Sequence, residues 1–307
     1  MQRQTSMKST ALERDVSSDG LWVYMQQILV RYSLVFITII LVLFFSFSTK
    51  HFASVLTLRA LLGDKSIIAL LALAASTTMI VGKIDLNVGF AMTLWHVLPI
   101  SLQVNYGISW YTAVGIVLVL GLAYGILNGL LVALADIDSF VATLGTGTII
   151  YAISLWHTEG RQIVLQESPA AFESIYFTDI GIFPIIAFYA LFLSFLLWLL
   201  TSHTPVGRAM YAVGGNPLSA LLNGILVNKY IICSFAASGM ITAFTGVVLA
   251  AKLGVGQSSV GQNFLLPALV GAFLGSTTIK PGRVNIWGTM IAVLLLAVGT
   301  TGIQQYG

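Results

Sequence analysis

Nine long apolar runs, each close to the ~20 residues a helix needs to cross a bilayer, alternate with short polar stretches along this chain. They cover residues 32–49, 65–82, 88–104, 111–135, 139–157, 182–201, 230–252, 263–278 and 285–303. The pattern predicts an all-α polytopic membrane protein with about nine transmembrane helices. Residues 1–18 are polar, while 19–31 would set Leu21, Trp22, Met25 and Ile28 on one side of an interfacial helix. An N-terminal segment, 1–31, thus precedes a transmembrane domain, 32–307. The first 30 residues hold no short apolar core with a small-residue cleavage site, so the first run is expected to act as an uncleaved anchor.

One long polar island, 203–229, separates apolar runs on both sides. Asn216 followed by Pro217 predicts a helix start, because the Asn side chain accepts an orphan amide and Pro fits the first turn. Gly224 after Asn223 predicts the stop, through a left-handed residue just past the last turn. Leu218, Leu221, Leu222 and Ile225 recur at helical spacing, opposite Ser219, Ala220 and Asn223. The expected arrangement lays the leucines on the membrane bundle and offers the small face to a partner; an ordinary capped turn between helices fits the same residues.

Two glycine-bounded stretches break the apolar pattern, Gly82–Gly89 and Gly254–Gly261. If they lie on opposite sides of the membrane, they read as corresponding breaks of inverted repeats, an arrangement common in transporters. Two unrelated glycine-rich turns is the plainer reading.

Composition and charge then narrow the class. With 57% hydrophobic and 8% charged residues, the chain falls far below the ~25% charge of water-soluble domains. The net charge of +3 comes from scattered loop residues, so no nucleic-acid partner is implied. With a cytoplasmic N-terminus and nine crossings, nine basic residues fall inside (Arg3, Lys8, Arg14, Arg31, Lys83, Arg208, Lys229, Lys280, Arg283) and five outside (Lys50, Arg59, Lys65, Arg161, Lys252). That excess favours the orientation, although Lys50, Arg59 and Lys65 cluster on the unfavoured side. It places 203–229 in the cytoplasm and the acidic loop Thr158–Gly181 outside. The single Cys233 lies in an apolar run and is expected to be a buried small hydrophobe.

The stretch GRAMYAVGGNPLSALLNGI, 207–225, resembles the cytoplasmic coupling segment of the membrane subunits of ribose-type (monosaccharide) bacterial ABC importers. The resemblance continues in Gly82–Gly89, in Leu127–Val132, in Phe140–Thr146, and in Gly275–Thr278 with Gly282–Thr289, and so covers almost everything from about residue 65. Departures from the family pattern are Lys83, Asn87, Leu221, Leu222, Lys280 and Pro281. The family normally has ten spanning helices, so either the last one is missing or the final helices sit in another register. The resemblance implies an inverted-repeat, type II importer-like architecture. It also implies coupling to an ATPase through Arg208, Gly214, Gly215, Asn216, Pro217, Ser219, Ala220, Asn223 and Gly224. The implied partners are an ABC ATPase subunit that uses ATP and Mg, a periplasmic sugar-binding protein, and a second permease chain, all at the bacterial inner membrane in contact with lipid.

Translocation-pathway candidates are polar residues in or near the runs. Asp85 either caps the helix beginning near Leu86, pairs with Lys83, or touches substrate, because a carboxylate beside a membrane run is expensive without such a role. Asn87 and Gly89 share its break. Trp95 and His96 fall in mid-span, one turn before Pro99, and read either as interhelical packing with one satisfied hydrogen bond or as pathway lining. Asn128, Thr143 and Thr146, and more weakly Thr148 and Ser238, are further candidates, since such groups also bond neighbouring helices in membranes.

No Gly-x-x-x-x-Gly-Lys-Ser/Thr loop occurs, so the chain has no recognisable nucleotide cradle, and no His-Glu-x-x-His or Gly-x-Ser-x-Gly is present. The expected function is a permease subunit without its own ATPase site, metal or cofactor, moving a monosaccharide or polyol by alternating access. An ion-coupled secondary transporter is the alternative, and Asp85 its one plausible relay residue.

Overall fold

The chain is described by a computed structural model that covers residues 24–26 and 28–306. The interfacial helix expected over 19–31 begins outside these residues; its described part, up to Arg31, is helical. Helices follow at α1 (Ser33–Ser48), α2 (Val55–Ile80), α3 (Asn87–Tyr106), α4 (Trp110–Ala133) and α5 (Ser139–Thr158). After them come α6 (Ala170–Phe177), α7 (Ile185–His203), α8 (Pro205–Gly215), α9 (Pro217–Leu222), α10 (Val227–Leu253), α11 (Gln262–Gly275) and α12 (Ile286–Tyr306). Two-residue strands β1 (Ile163–Val164) and β4 (Val255–Gly256) pair antiparallel, as do β2 (Asp179–Ile180) and β3 (Phe183–Pro184).

Each predicted apolar run is occupied by a helix, yet the number able to cross a membrane on length and composition is smaller. Among the described residues five qualify, α4, α5, α7, α10 and α12, or six if residues 24–31 and α1 form one bent span. Two helices are short, α1 with 16 residues and α11 with 14, and two carry polar groups. The first three turns of α2 carry Arg59, Asp64 and Lys65, and α3 carries Asn87, His96, Gln103 and Asn105. These two helices sit inside the bundle, where Ile67, Leu70, Leu71, Leu73, Met92 and Ile100 are fully buried, so neighbouring helices rather than lipid surround their polar groups. The outer helices show the reverse: only a third of α4, α5 and α7 is buried, against 72% of α10. The apolar helices together make the chain an integral membrane protein.

The tightest packing joins α4 to α10 through glycines four residues apart, Gly121, Gly125 and Gly129. A Cβ on Gly129 would stand 2.7 Å from Ile232 Cα, and one on Gly239 would stand 2.8 Å from Gly125 Cα. Small residues at this spacing let helix backbones approach closely where lipid offers no hydrophobic drive. Cys233, expected inside, is instead exposed on α10. A thiol facing lipid leaves water as fully as one in a core, so its apolar surroundings did not specify burial.

The two glycine-bounded breaks meet at one end, Gly89 with Gly261, while their other ends diverge, Gly82 packing on Gly214 and Gly254 bonding to Leu165. Gly261 lies on the Gly89 carbonyl, with its Cα side 2.8 Å from the Thr93 amide for any added Cβ, and Gly256 packs on Val97. The second break thus runs alongside the first half of α3, held by the β1–β4 pair and by the Leu165 amide donating to the Gly254 carbonyl at 3.0 Å.

Candidate functional site

The break between α2 and α3 builds a buried polar cluster from its own backbone outward. Gly82, at φ +75°, turns the chain after α2, and a Cβ there would meet the Gly214 carbonyl at 3.2 Å. The exposed amides that follow are satisfied by α5: Ile84 N donates to Ser139 Oγ (3.1 Å) and Leu86 N to Thr143 Oγ1 (3.1 Å). Asp85 Oδ1 accepts from Asn87 N at 2.9 Å, a cap on the first turn of α3, and Oδ2 accepts from Ser238 Oγ of α10 at 2.7 Å. The carboxylate is 5% exposed. It does not lie near the surface, and Lys83 is not its partner: among the described residues the ion pairs are Arg59–Asp179 and Lys252–Asp64. Burial makes a hydroxyl and an amide the available donors, and Lys83 is half-buried without a carboxylate partner among the described residues.

Next to Asp85, the side-chain amide of Asn87 meets the Tyr124 hydroxyl, 2.7 Å from Nδ2 and 3.0 Å from Oδ1, and Nδ2 donates to Thr146 Oγ1 at 3.1 Å. Thr146 in turn donates to Asn128 Oδ1 at 2.6 Å, and Asn128 Nδ2 donates to the Tyr124 carbonyl at 3.0 Å. Asp85, Asn87, Asn128, Thr143 and Thr146 are therefore one hydrogen-bonded assembly drawn from the break before α3 and from helices α3, α4 and α5. Between Asp85, Asn87, Tyr124, Asn128 and Thr242 a small cavity remains, with room for about one water molecule.

Trp95 joins this assembly by an edge-on contact with Tyr124, ring centroids 5.9 Å apart. Its Nε1 and both ring nitrogens of the neighbouring His96 are buried without a hydrogen-bond partner, as is Thr242 Oγ1. The single satisfied bond expected of the Trp-His pair is absent; the α10 backbone at Gly246 packs closely on this stretch of α3, where an added Cβ would lie 2.7 Å from Trp95 Cβ and 3.0 Å from His96 N. Gly89 is on another side of α3, where an added Cβ would fall 2.5 Å from Leu265 Cβ. Thr148 bonds only its own helix, at the Gly145 carbonyl. Sequence reasoning missed Tyr124 and Ser139. Tyr124 lies on the face of the Gly121–Gly125–Gly129 repeat, and that repeat was the signal for the buried side of α4.

The polar island forms the second part of the site. Thr204 Oγ1 caps α8 through Gly207 N (3.3 Å), and Asn216 Oδ1 caps α9 through Ser219 N (2.9 Å). Gly224, at φ +78°, closes α9. The Asn216 cap and the Gly224 stop follow the sequence expectation, whereas the Thr204 cap was not foreseen; α9 turns its leucines outward, and of its small face only Ala220 is buried while Ser219 and Asn223 stay exposed. Ala220 is buried at 4% exposure, whereas Leu218, Leu221 and Leu222 are 65%, 58% and 79% exposed. Six residues joined to α8 through Asn216 alone are oriented by their connections, and only a small side chain fits on the side turned to the bundle. Arg208, Gly215, Asn216, Pro217, Ser219, Asn223 and Gly224 are exposed, and Gly214 is half-buried.

The island is anchored from below by two contacts. The α8 backbone at Gly214 rests on the Ile80 carbonyl and on Gly82. Tyr211 donates its hydroxyl to the Val284 carbonyl at 2.7 Å, with the Arg283 guanidinium 4.1 Å from its ring centroid. α8 thus bridges the polar break and the loop before α12. Among the described residues no group of three His, Cys, Asp or Glu residues is placed to hold a metal.

Comparison with known proteins assigns this arrangement a lineage. Residues 57–307 match the family described as "Branched-chain amino acid transport system / permease component". The chain is similar to the ribose import permease protein of Haemophilus influenzae, 30% identical over 260 residues, covering 84% of this chain and 80% of that protein. It is 31% identical over 271 residues to the ribose import permease protein of Bacillus subtilis, covering 87% and 83%. With the D-allose transport system permease protein of Escherichia coli it shares 30% identity over 280 residues, covering 89% and 84%. No solved structure is a significant match.

Proposed function

We propose a function from one premise: the chain belongs to the permease-component family of import systems, matched over residues 57–307. It is the permease subunit of an ATP-driven importer, and its cargo is a monosaccharide or related polyol. The family description names branched-chain amino acids, but the relatives matched over more than four fifths of this chain are named for ribose and allose, and this observation carries the sugar reading. Two permease chains form the pathway in the bacterial inner membrane, with cytoplasmic N-termini, nine or ten spans and a type II, inverted-repeat plan. A separate ATPase subunit uses ATP and Mg, and a periplasmic binding protein delivers the sugar.

In this reading 203–229 is the cytoplasmic coupling segment. The exposed leucines of α9 offer the ATPase an apolar contact of the kind that anchors helical interfaces. Motion of α9 passes through α8 to Gly82, because glycine backbones in direct contact leave no flexible side chain to absorb it. From Gly82 it reaches the Asp85–Asn87–Tyr124–Asn128 assembly. The assembly and Trp95–His96 above it line the pathway or its gate, and the three unpartnered nitrogens there are donors or acceptors free for hydroxyls or water. Alternating access then exchanges one set of these hydrogen bonds for another.

The test is uptake by proteoliposomes that hold the permease, its cognate ATPase and its binding protein. Radiolabelled ribose and allose are compared with leucine and valine, with and without ATP. ATP-dependent sugar uptake supports the reading; uptake of leucine overturns the cargo, and uptake driven by an ion gradient without ATP overturns the mechanism.

A further inference from the structure

Three contiguous apolar grooves run along the seam between α2 and α12, and a single charged side chain, Lys65, lines them. The first, of about 850 Å³ of open space, lies between α1, α2 and α12, and includes Val42, Phe52 and Val298. It shares Leu61, Leu62 and Leu294 with the second. The second shares Lys65, Val293 and Ala297 with the third, of about 650 Å³, which continues to Leu266 and Val270 of α11. Lys65 is half-buried and has no carboxylate partner among the described residues, while its neighbours in the outer polar cluster are engaged: Asp64 with Lys252 and Arg59 with Asp179.

An unpaired ammonium inside a membrane helix bundle is costly, and such groups pair or reach the interface. We propose that this seam is a binding site for a phospholipid with an anionic headgroup, whose phosphate meets Lys65 and whose acyl chains lie in the grooves on either side. The dimensions agree. From Met290 to Thr300 the seam extends about 15 Å along α12, one leaflet of a hydrocarbon core ~30 Å thick. A sugar would leave its hydroxyls against aliphatic walls, and an apolar helix would leave the Lys65 charge unmet; a phospholipid supplies both the charge and the tails. The site also accounts for a basic residue on the side of the membrane where the charge distribution disfavours it. It is independent of the cargo.

Native mass spectrometry of the purified full chain, titrated with phosphatidylglycerol, phosphatidylethanolamine and glycerol 3-phosphate, tests this. The expected result is preferential retention of phosphatidylglycerol, weakened about fivefold by Lys65→Met, restored by Lys65→Arg, reduced by groove-filling Val270→Trp, and unchanged by Lys280→Met on the exposed loop. Equal retention by the wild type and Lys65→Met overturns the proposal. So does glycerol 3-phosphate competing as well as the whole lipid, or a lipid-free dimer that cross-links through Val270. Should Lys65→Met not fold, phosphatidylglycerol with a photoactivatable acyl chain is applied to the unaltered protein; labelling centred on 290–300 supports the site, and labelling spread evenly over the lipid-facing helices overturns it.

Discussion

Ser238 of α10 donates a hydrogen bond of 2.7 Å to Asp85 Oδ2, while the other oxygen of that carboxylate holds the first turn of α3 through Asn87 N. One buried side chain therefore fixes the start of one central helix and its distance from another. Asn presents an acceptor oxygen in the same place as Oδ1, so Asp85→Asn should keep the complex assembled and retain most sugar uptake. Asp85→Ala leaves Asn87 N and Ser238 Oγ without a partner and should cost about 1–3 kcal/mol. Thermal unfolding of the purified complex beside transport assays checks both. Loss of uptake in Asp85→Asn with unfolding unchanged would show that the charge itself acts on substrate or gate.

The buried Ala220 and the exposed leucines of α9 separate folding from coupling. Ala220→Arg forces a charged chain into a buried position and should lower yield and thermal stability of the permease itself. Leu222→Arg alters a residue 79% exposed and should leave folding intact while the ATPase no longer co-purifies or is no longer stimulated. Monodispersity of the permease alone, followed by pull-down of the ATPase, distinguishes them; a well-folded Ala220→Arg permease would contradict the buried placement.

Helix approach at the α4–α10 seam sets a steric limit. Gly125→Ala would place its Cβ against the Phe235 carbonyl and 3.0 Å from Ala236 Cα, whereas Gly115→Ala meets nothing within 4 Å. The first should destabilise by about 1–3 kcal/mol, the second by less than about 0.5 kcal/mol. Gly89→Val should resemble the first, because Leu265 Cβ lies 2.5 Å from the added carbon. Unfolding midpoints in one detergent decide the order.

Orientation is read by single cysteines at the exposed positions Glu167 and Ser219. In a Cys233→Ser background an impermeant thiol reagent should label Glu167→Cys from outside intact cells and Ser219→Cys only after the membrane is opened. The background matters more because Cys233 is exposed on its helix. The opposite labelling pattern reverses the topology.

The sequence alone determined what depends on local chemistry. Apolar runs placed the membrane helices to within a few residues for most elements. Asn216 acts as a cap because its side chain reaches an amide three residues on, and Gly82, Gly224 and Gly254 take positive φ. The family was legible because its motifs are contiguous strings. The tertiary structure decided what depends on which surfaces meet. Which way α9 faces follows from its tethers, since six residues bury too little area to orient themselves. That α2 and α3 are wrapped by other helices, so that their polar groups face protein rather than lipid, is something hydropathy does not register. Asp85 and Ser238 are 153 residues apart, and nothing in either neighbourhood names the other. Their pairing, and the meeting of Gly89 with Gly261, arise only when close backbone packing brings distant segments together and burial leaves each polar group one available partner.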